Sequence, residues 1–167
     1  MNIREAVIED SPGLARVRLE GWESAYRGLM PDAVLDGMDL AKEEMRWRGM
    51  LAASTPASRL SVAEIDGQVA GFCGVGACRD ADLGYDGELY AIYVLPAMQH
   101  RGVGQALARA GMDWLRAHGF HKMLIWVLRD NLPARRFYEQ IGGAPVHERL
   151  IEIGGADLPE LGYGVDL

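Results

Sequence analysis

The chain has 167 residues, 49% of them hydrophobic and 25% charged, with only 7 prolines, the make-up of one ordinary globular domain rather than a disordered or repeat-built chain. Seventeen Lys and Arg against 24 Asp and Glu leave a net charge of −7, so general attraction to a phosphate backbone is missing and nucleic acid is not an expected partner. Apolar runs such as Met123 to Leu128 fall far short of the roughly 20 residues a membrane span needs, so no membrane partner is expected either.

The start, Met1-Asn2-Ile3-Arg4-Glu5, lacks a basic-then-apolar leader, and a cytoplasmic location is expected. Ile3 to Ala6 suits a short strand, and Asp10-Ser11-Pro12 then supplies a capping side chain and a first-turn proline for a helix to about Tyr26. That helix carries two stripes, one of Leu14, Val17 and Gly21, the other of Ala15, Leu19, Trp22 and Tyr26. Pro31-Asp32 opens a short helical turn, and Asp39 caps a helix running through Trp47 toward Leu51. Ser54 to Ser58 reads as a loop.

Leu60 to Ile65 and Gln68 to Ala77 flank Asp66-Gly67, a strong hairpin signal. Cys73 and Cys78 fall in or beside the second strand; alternation sends them to opposite faces, and both are expected to be reduced core thiols. An acidic connector, Arg79 to Gly87, precedes the strand Glu88 to Val94, which stops at Pro96. Val103, Leu107, Ala110 and Trp114 then mark a helix ending near His118-Gly119. Lys122 to Leu128 suits a strand covered on both faces, and Pro133 starts a helix that Gly142-Gly143 stops. Val146 to Ile153 and Leu161 to Leu167 close the chain as strands joined by a Gly-containing loop. The order predicts a single α/β domain, a mixed sheet of about seven strands with helices on both faces.

The junction Val94 to Gln105 holds the most chemistry. Gly102 and Gly104 stand at the mouth of a helix that follows a strand, where backbone can approach an anion and aim unpaired N–H groups at it. A phosphate or pyrophosphate fits such a loop. The pattern is neither a Walker loop nor a complete dinucleotide fingerprint, because no Gly-Lys-Ser/Thr follows and Leu107 stands at the third glycine position. No Cys/His cluster or helical His pair suggests a metal, and His118 suits the end of its helix as a charge complement.

Gln99-x-x-Gly102-x-Gly104, after the strand E-L-Y-A-I-Y-V, is followed by Asn131-x-x-Ala134-x-x-Phe137-Tyr138-x-x-x-Gly142. This combination, spanning Glu88 to Gly142, resembles the GCN5-related N-acetyltransferase (GNAT) superfamily. The resemblance implies a GNAT-like sheet with a splayed central strand pair and acetyl-CoA as the acyl donor. Its pantetheine would lie along the strand ending at Val94, with backbone groups of Ile92 and Val94 offered to it. Its pyrophosphate would rest on amides of the loop Gln99, His100, Arg101, Gly102, Val103, Gly104 and Gln105, while Asn131, with Ala134 in the same motif, would contact the cofactor. Tyr138 resembles the tyrosine that protonates the departing CoA sulfur. Glu88 stands where histone-type members place a general-base glutamate; other members use a water chain, and both roles stay open. Two departures stand out: Gly143 replaces a usual aromatic, and Gln105 a small hydroxyl residue.

Trp22, Tyr26 and Trp47 fall in the region that the superfamily uses to shape the acceptor pocket, although aromatic residues at helical spacing also serve as core. Trp22-x-x-x-Tyr26-Arg27-Gly28 followed by Pro31 also resembles a subgroup of small bacterial acetyltransferases. Asp80, Asp82 and Asp86 would draw in a cationic amine if they lie beside the acceptor cleft. The expected acceptor is therefore a small cationic amine, with a protein N-terminus or lysine as the alternative; a non-catalytic acyl-CoA-binding module is the competing class. A homodimer is the expected assembly.

Overall fold

The structure, a computed structural model, describes residues 1–53 and 56–167, so Ser54 and Thr55 of the expected loop lie outside the described residues. Seven strands form one mixed sheet, β1 (Asn2–Glu5), β2 (Ser58–Ile65), β3 (Gln68–Ala77), β4 (Gly87–Val94), β5 (Lys122–Leu128), β6 (Ala144–Ile153) and β7 (Ala156–Asp166). Their spatial order is β1-β2-β3-β4-β5-β7-β6, and every neighbouring pair is antiparallel except β4–β5. Five helices cover it: α1 (Ser11–Tyr26), α2 (Asp32–Asp36), α3 (Leu40–Ala52), α4 (Val103–Ala117) and α5 (Leu132–Gln140).

Each face has its own core. On one side α1 and α3 bury Leu14, Val17 and Trp47 against Val62 and Phe72 of the sheet, and α2 adds a smaller cluster around Met30, Leu35 and Leu128. On the other, α4 and α5 bury Val103, Leu107, Leu115 and Tyr138 against Cys73, Val75, Leu89 and Ile125. β5 is buried along nearly its whole length, as its continuous apolar sequence requires of a strand covered on both faces.

Local signals account for most boundaries. Asp66 and Gly67 both take positive φ, 51° and 74°, the backbone a two-residue hairpin turn needs, and β2 and β3 pair directly across it. Asp39 Oδ1 accepts from Lys42 N at 2.8 Å and caps α3. Asp10, by contrast, does not cap α1: its carboxylate is drawn to Arg4, at 2.7 and 2.8 Å, and to Val7 N. The final hairpin is tighter than its sequence suggests. Gly154 and Gly155, with φ of 60° and 80°, make the whole turn, so β7 begins at Ala156 rather than near Leu161. Pro159 disguises the extended run because proline normally interrupts a strand, yet here its carbonyl accepts from Arg129 N at 2.9 Å. Cys73 is buried, but Cys78 lies beyond the end of β3 and is only half-buried, so one core thiol is present, not two. Both are free.

Candidate active site

The centre of the sheet is open. β4 and β5 pair only at Gly87–Met123, Glu88–Leu124 and Leu89–Ile125, after which the parallel strands part. A bulge sits at the parting: Leu89 faces Val75 and Ala91 faces Gly74, leaving Tyr90 as the extra residue. The bulge turns β4 away from β5 while keeping it on β3. Backbone direction alternates along an antiparallel pair, and Leu95 N donates across it to Ala70 O at 2.9 Å. Two-residue periodicity then turns Ile92 and Val94 toward the gap. Val94 O agrees, since it accepts from Gln99 Nε2 at 3.3 Å instead of joining the β3 ladder.

The loop after β4 ends in an open helix start. Gly102 precedes α4 in the left-handed region at φ 79°, and no side chain caps the helix. His100 shares that backbone region at φ 59°, a cost of order 1 kcal/mol for a residue with a Cβ. The first amide to close on this turn is Ala106 N, on Gly102 O at 3.0 Å, so the N–H groups of Val103, Gly104 and Gln105 point out of the helix mouth. A Cβ on Gly102 would project into open space there, whereas one on Gly104 would reach Phe137 at 3.4 Å. Val103 itself is buried and anchors the loop, while Gln99, His100, Arg101 and Gln105 stay at the surface.

Tyr138 projects from α5 into the α4–α5 core, its ring 6.0 Å from Tyr163 and 5.7 Å from Phe137. Burial pushes its phenol far above the ordinary tyrosine range, so the hydroxyl keeps its proton. Asn131 is buried at the start of α5, where its Oδ1 accepts from Ala134 N at 3.2 Å. Its amide nitrogen makes no hydrogen bond among the described residues.

From the opposite face, α1 brings Tyr26 to Tyr93 of β4, hydroxyl to hydroxyl at 2.9 Å. Trp22 packs edge-on against Tyr26 with centroids 5.3 Å apart. Burial raises both Tyr26 and Tyr93, and Tyr93 is raised further by the proximity of Tyr26 and Tyr138. Three tyrosines thus converge on the gap from both faces. Trp47 does not join them. It is 4% exposed and packs edge-on against Phe72 at 5.0 Å, which makes it core.

Glu88 is the opposite case to a solvent-facing strand acid. Gly87 faces Leu115 of α4, so Glu88 points to the α1 side, where it is 1% exposed. Arg79 holds both of its oxygens: the backbone N donates at 2.9 Å, Nε lies 3.1 Å from each oxygen, and Nη2 bonds Oε1 more closely still. Two acids of the connector are similarly engaged. Asp86 accepts from His121 N and Lys122 N, and Asp80 accepts from Trp126 Nε1 at 3.0 Å and Arg149 Nη1 at 2.8 Å. The connector is therefore a folded strap in which Asp80 and Asp86 already have partners and Asp82 stays at the surface, not a run of three unopposed acids. Arg149 also donates to buried Glu160 and lies 3.8 Å over the Trp126 ring.

Tyr93, Arg18, Arg79, Arg149 and Glu160 were not singled out from the sequence. Tyr93 carried a usable signal, since it alternates with Ile92 and Val94 on the same motif strand. The others come from segments with no pattern of their own.

The acetyltransferase (GNAT) family matches residues 22–143 of the chain. The chain belongs to that family. The GNAT chain is 36% identical, over 98% of its length and 92% of the relative's, to an uncharacterized N-acetyltransferase, YuaI, of Bacillus subtilis. Among solved structures it is similar to the PaiA N-acetyltransferase of Thermoplasma acidophilum in complex with coenzyme A, with TM-score 0.76, 20% identity, and 99% and 98% of the two chains covered. It is also similar to yncA, a putative acetyltransferase from Salmonella typhimurium with acetyl-CoA, with TM-score 0.73, 21% identity, and 99% and 93% covered. The expected acyltransferase family and seven-stranded GNAT sheet are thus those observed. No helix among the described residues is long and apolar enough to cross a membrane.

Proposed function

We propose that this single-domain protein transfers an acetyl group from acetyl-CoA to the primary amine of a small molecule, by direct attack with both substrates bound. The observation that carries this is the opened β4–β5 seam with an uncapped helix mouth at one end and Tyr138 beside it. Coenzyme A and acetyl-CoA in two similar structures support the choice of donor.

The residues fit that donor. Amides of Val103, Gly104 and Gln105, with the exposed loop Gln99 to Gly102, suit the pyrophosphate; backbone groups of Ile92 and Val94 suit the pantetheine amides; and the Asn131 amide is free to donate. When bound, acetyl-CoA supplies an activated acyl carbon and a thiolate leaving group. An N–H of β4 near Ile92 donates to the oxygen on which negative charge develops. The amine nitrogen bonds to the acyl carbon as the carbon–sulfur bond breaks, and Tyr138 donates its proton to the departing sulfur. The amine's proton leaves through water: Arg79 occupies both oxygens of Glu88, which supports a water path over direct abstraction by that carboxylate.

The test is release of CoA thiol from acetyl-CoA over a panel of polyamines, amino acids, aminoglycosides and short peptides, with the native protein and Tyr138→Phe. Release that depends on one small-molecule class and falls sharply in the variant is the expected result. Release only with peptides would replace the acceptor by a protein amine. Acetyl-CoA binding with no release in any arm would make the protein an acyl-CoA-binding module.

A further inference from the structure

The two walls of the acceptor side carry opposite, incompletely balanced charge. On the helical wall, Glu43 is shared by two guanidinium groups, with Arg18 Nε at 3.0 Å and Arg46 Nη1 at 3.3 Å. On the strand wall the ratio reverses: Arg149 is shared by two carboxylates, Glu160 at 2.5 Å and Asp80 at 2.8 Å. Between them the Glu88–Arg79 pair is one to one.

The helical wall also holds polar groups that the fold leaves unsatisfied. Arg18 Nε is buried and close to Glu43, yet not aligned to donate to it, so it has no hydrogen-bond partner among the described residues; Trp22 Nε1, one turn further along α1, is in the same condition. The Arg18 guanidinium lies 4.3 Å from the centroid of the Trp22 ring, so the two donors are neighbours. Trp47 Nε1, in the core against Phe72, is likewise unpartnered, so an orphan donor alone marks no site; on this wall two stand side by side, next to a guanidinium that shares its carboxylate with Arg46, at a cost of roughly 1–3 kcal/mol each. On the strand wall Glu160 is 6% exposed, and Arg149 donates to only its Oε1. Its second oxygen has no partner among the described residues.

The Tyr26 hydroxyl ties the two walls to the seam. Trp22 and Tyr26 pack into one cluster with Leu158, which lies two residues from Glu160 on β7, while the Tyr26 hydroxyl meets Tyr93 at 2.9 Å. A cation and an acid therefore flank the place where acyl transfer is proposed.

The geometry points to a zwitterionic acceptor, a free amino acid whose ammonium group is held by Glu160 and whose carboxylate is held by Arg18 and Trp22 Nε1. This rests on the small-molecule acetyltransferase reading and specifies its substrate. A carboxylate on the helical wall supplies the missing negative charge and accepts from both orphan donors. An ammonium group on the strand wall supplies the missing positive charge. A simple polyamine satisfies only the second wall, and an amino acid within a peptide chain has lost its own carboxylate.

The test uses matched acceptors with the native protein: leucine against isoamylamine and leucinamide, and phenylalanine against phenethylamine and phenylalaninamide. Each is assayed by CoA-thiol release. The amino acid is expected to exceed its decarboxylated and amide partners in kcat/KM by about tenfold or more, the scale of a lost charge-assisted hydrogen bond. Arg18→Met is expected to erase most of that preference, mainly through KM, with partial rescue by Arg18→Lys; Glu160→Gln is expected to raise KM for amino acids and amines alike. Amines or amides accepted as well as the amino acids would overturn the zwitterion assignment while leaving acetyl transfer standing. Transfer to none of these compounds, with transfer to another class in the broader panel, overturns it as well. Transfer to nothing, with acetyl-CoA bound by calorimetry, removes both readings together.

Discussion

Tyr26 and Tyr93 meet hydroxyl to hydroxyl at 2.9 Å, joining the last turn of α1 to the strand beyond the bulge. The contact closes the α1 side of the opened seam. It links residues 67 positions apart, and it exists only because Gly21 lets α1 rest directly on the Tyr93 ring. A Cβ on Gly21 would sit 3.1 Å from that ring.

Tyr93→Phe keeps the ring and removes one hydroxyl, leaving Tyr26 to find another partner. Stability should fall by about 1 kcal/mol, and the acceptor KM should rise more than kcat falls. Urea unfolding and steady-state assays with the best acceptor check the two parts separately.

Tyr138→Phe preserves packing on Tyr163 and Phe137, so its thermal midpoint should stay close to that of the native protein. Its kcat should drop by roughly 10²–10⁴-fold, the contribution typical of a positioned general acid. An unchanged kcat would make Tyr138 a packing residue.

Glu88→Gln separates base from partner. With the amine's proton leaving through water, the acidic limb of the kcat/KM profile should persist in the variant, and its disappearance would return the base role to Glu88. The same site predicts a coupling. Arg79→Met strands a carboxylate that is 1% exposed and should cost roughly 2 kcal/mol, less than a fully buried pair because Arg79 is largely exposed. Adding Glu88→Gln should recover part of that loss in a double-mutant cycle.

Gly102→Ala places a Cβ where φ is 79° and where the helix mouth opens. Acetyl-CoA should bind about tenfold more weakly, from crowding of the free amides, and the unfolding free energy without ligand should fall by about 1–2 kcal/mol, because a residue with a Cβ is strained in the left-handed region. Calorimetric titration reads the first and urea unfolding the second; a native Kd would remove Gly102 from the binding loop.

Burial predicts alkaline destabilisation. The Cys73 thiol is pushed up to about 12, and the phenols of Tyr93 and Tyr138 are also raised. A group raised in the folded state contributes stability below its unfolded pKa and loses it as pH climbs toward the folded value. The Cys73 contribution should therefore erode from about pH 8.5 upward and the tyrosine contributions from about pH 10. Urea midpoints measured from pH 8 to 11 should fall. Cys73→Ala should flatten the first part of that decline.

The elements and the cofactor end of the site were legible because their signals are local. Asp66-Gly67 specifies a turn by backbone sterics alone, Asp39 caps the helix it begins, and Gly102 supplies the one conformation the α4 mouth requires. Where a local signal had a tertiary competitor, it failed. Asp10 looks like a cap and is taken by Arg4; Trp47 looks like a pocket aromatic and is absorbed by Phe72; Asp80, Asp86 and Glu88 look free and are claimed by Arg149, an amide of β5 and Arg79.

By itself the sequence determined an acidic α/β chain with a hairpin, a glycine-lined helix mouth and a tyrosine-bearing helix in the family's order, since each follows from residues a few positions apart. Only the tertiary structure decided which charges gather on the α1 face of the sheet. Glu160 and Arg18 lie 142 positions apart, and neither sits in a pattern that marks it. Charge balance on a cleft wall is a sum over residues from several elements, and that sum is defined only after the chain has folded.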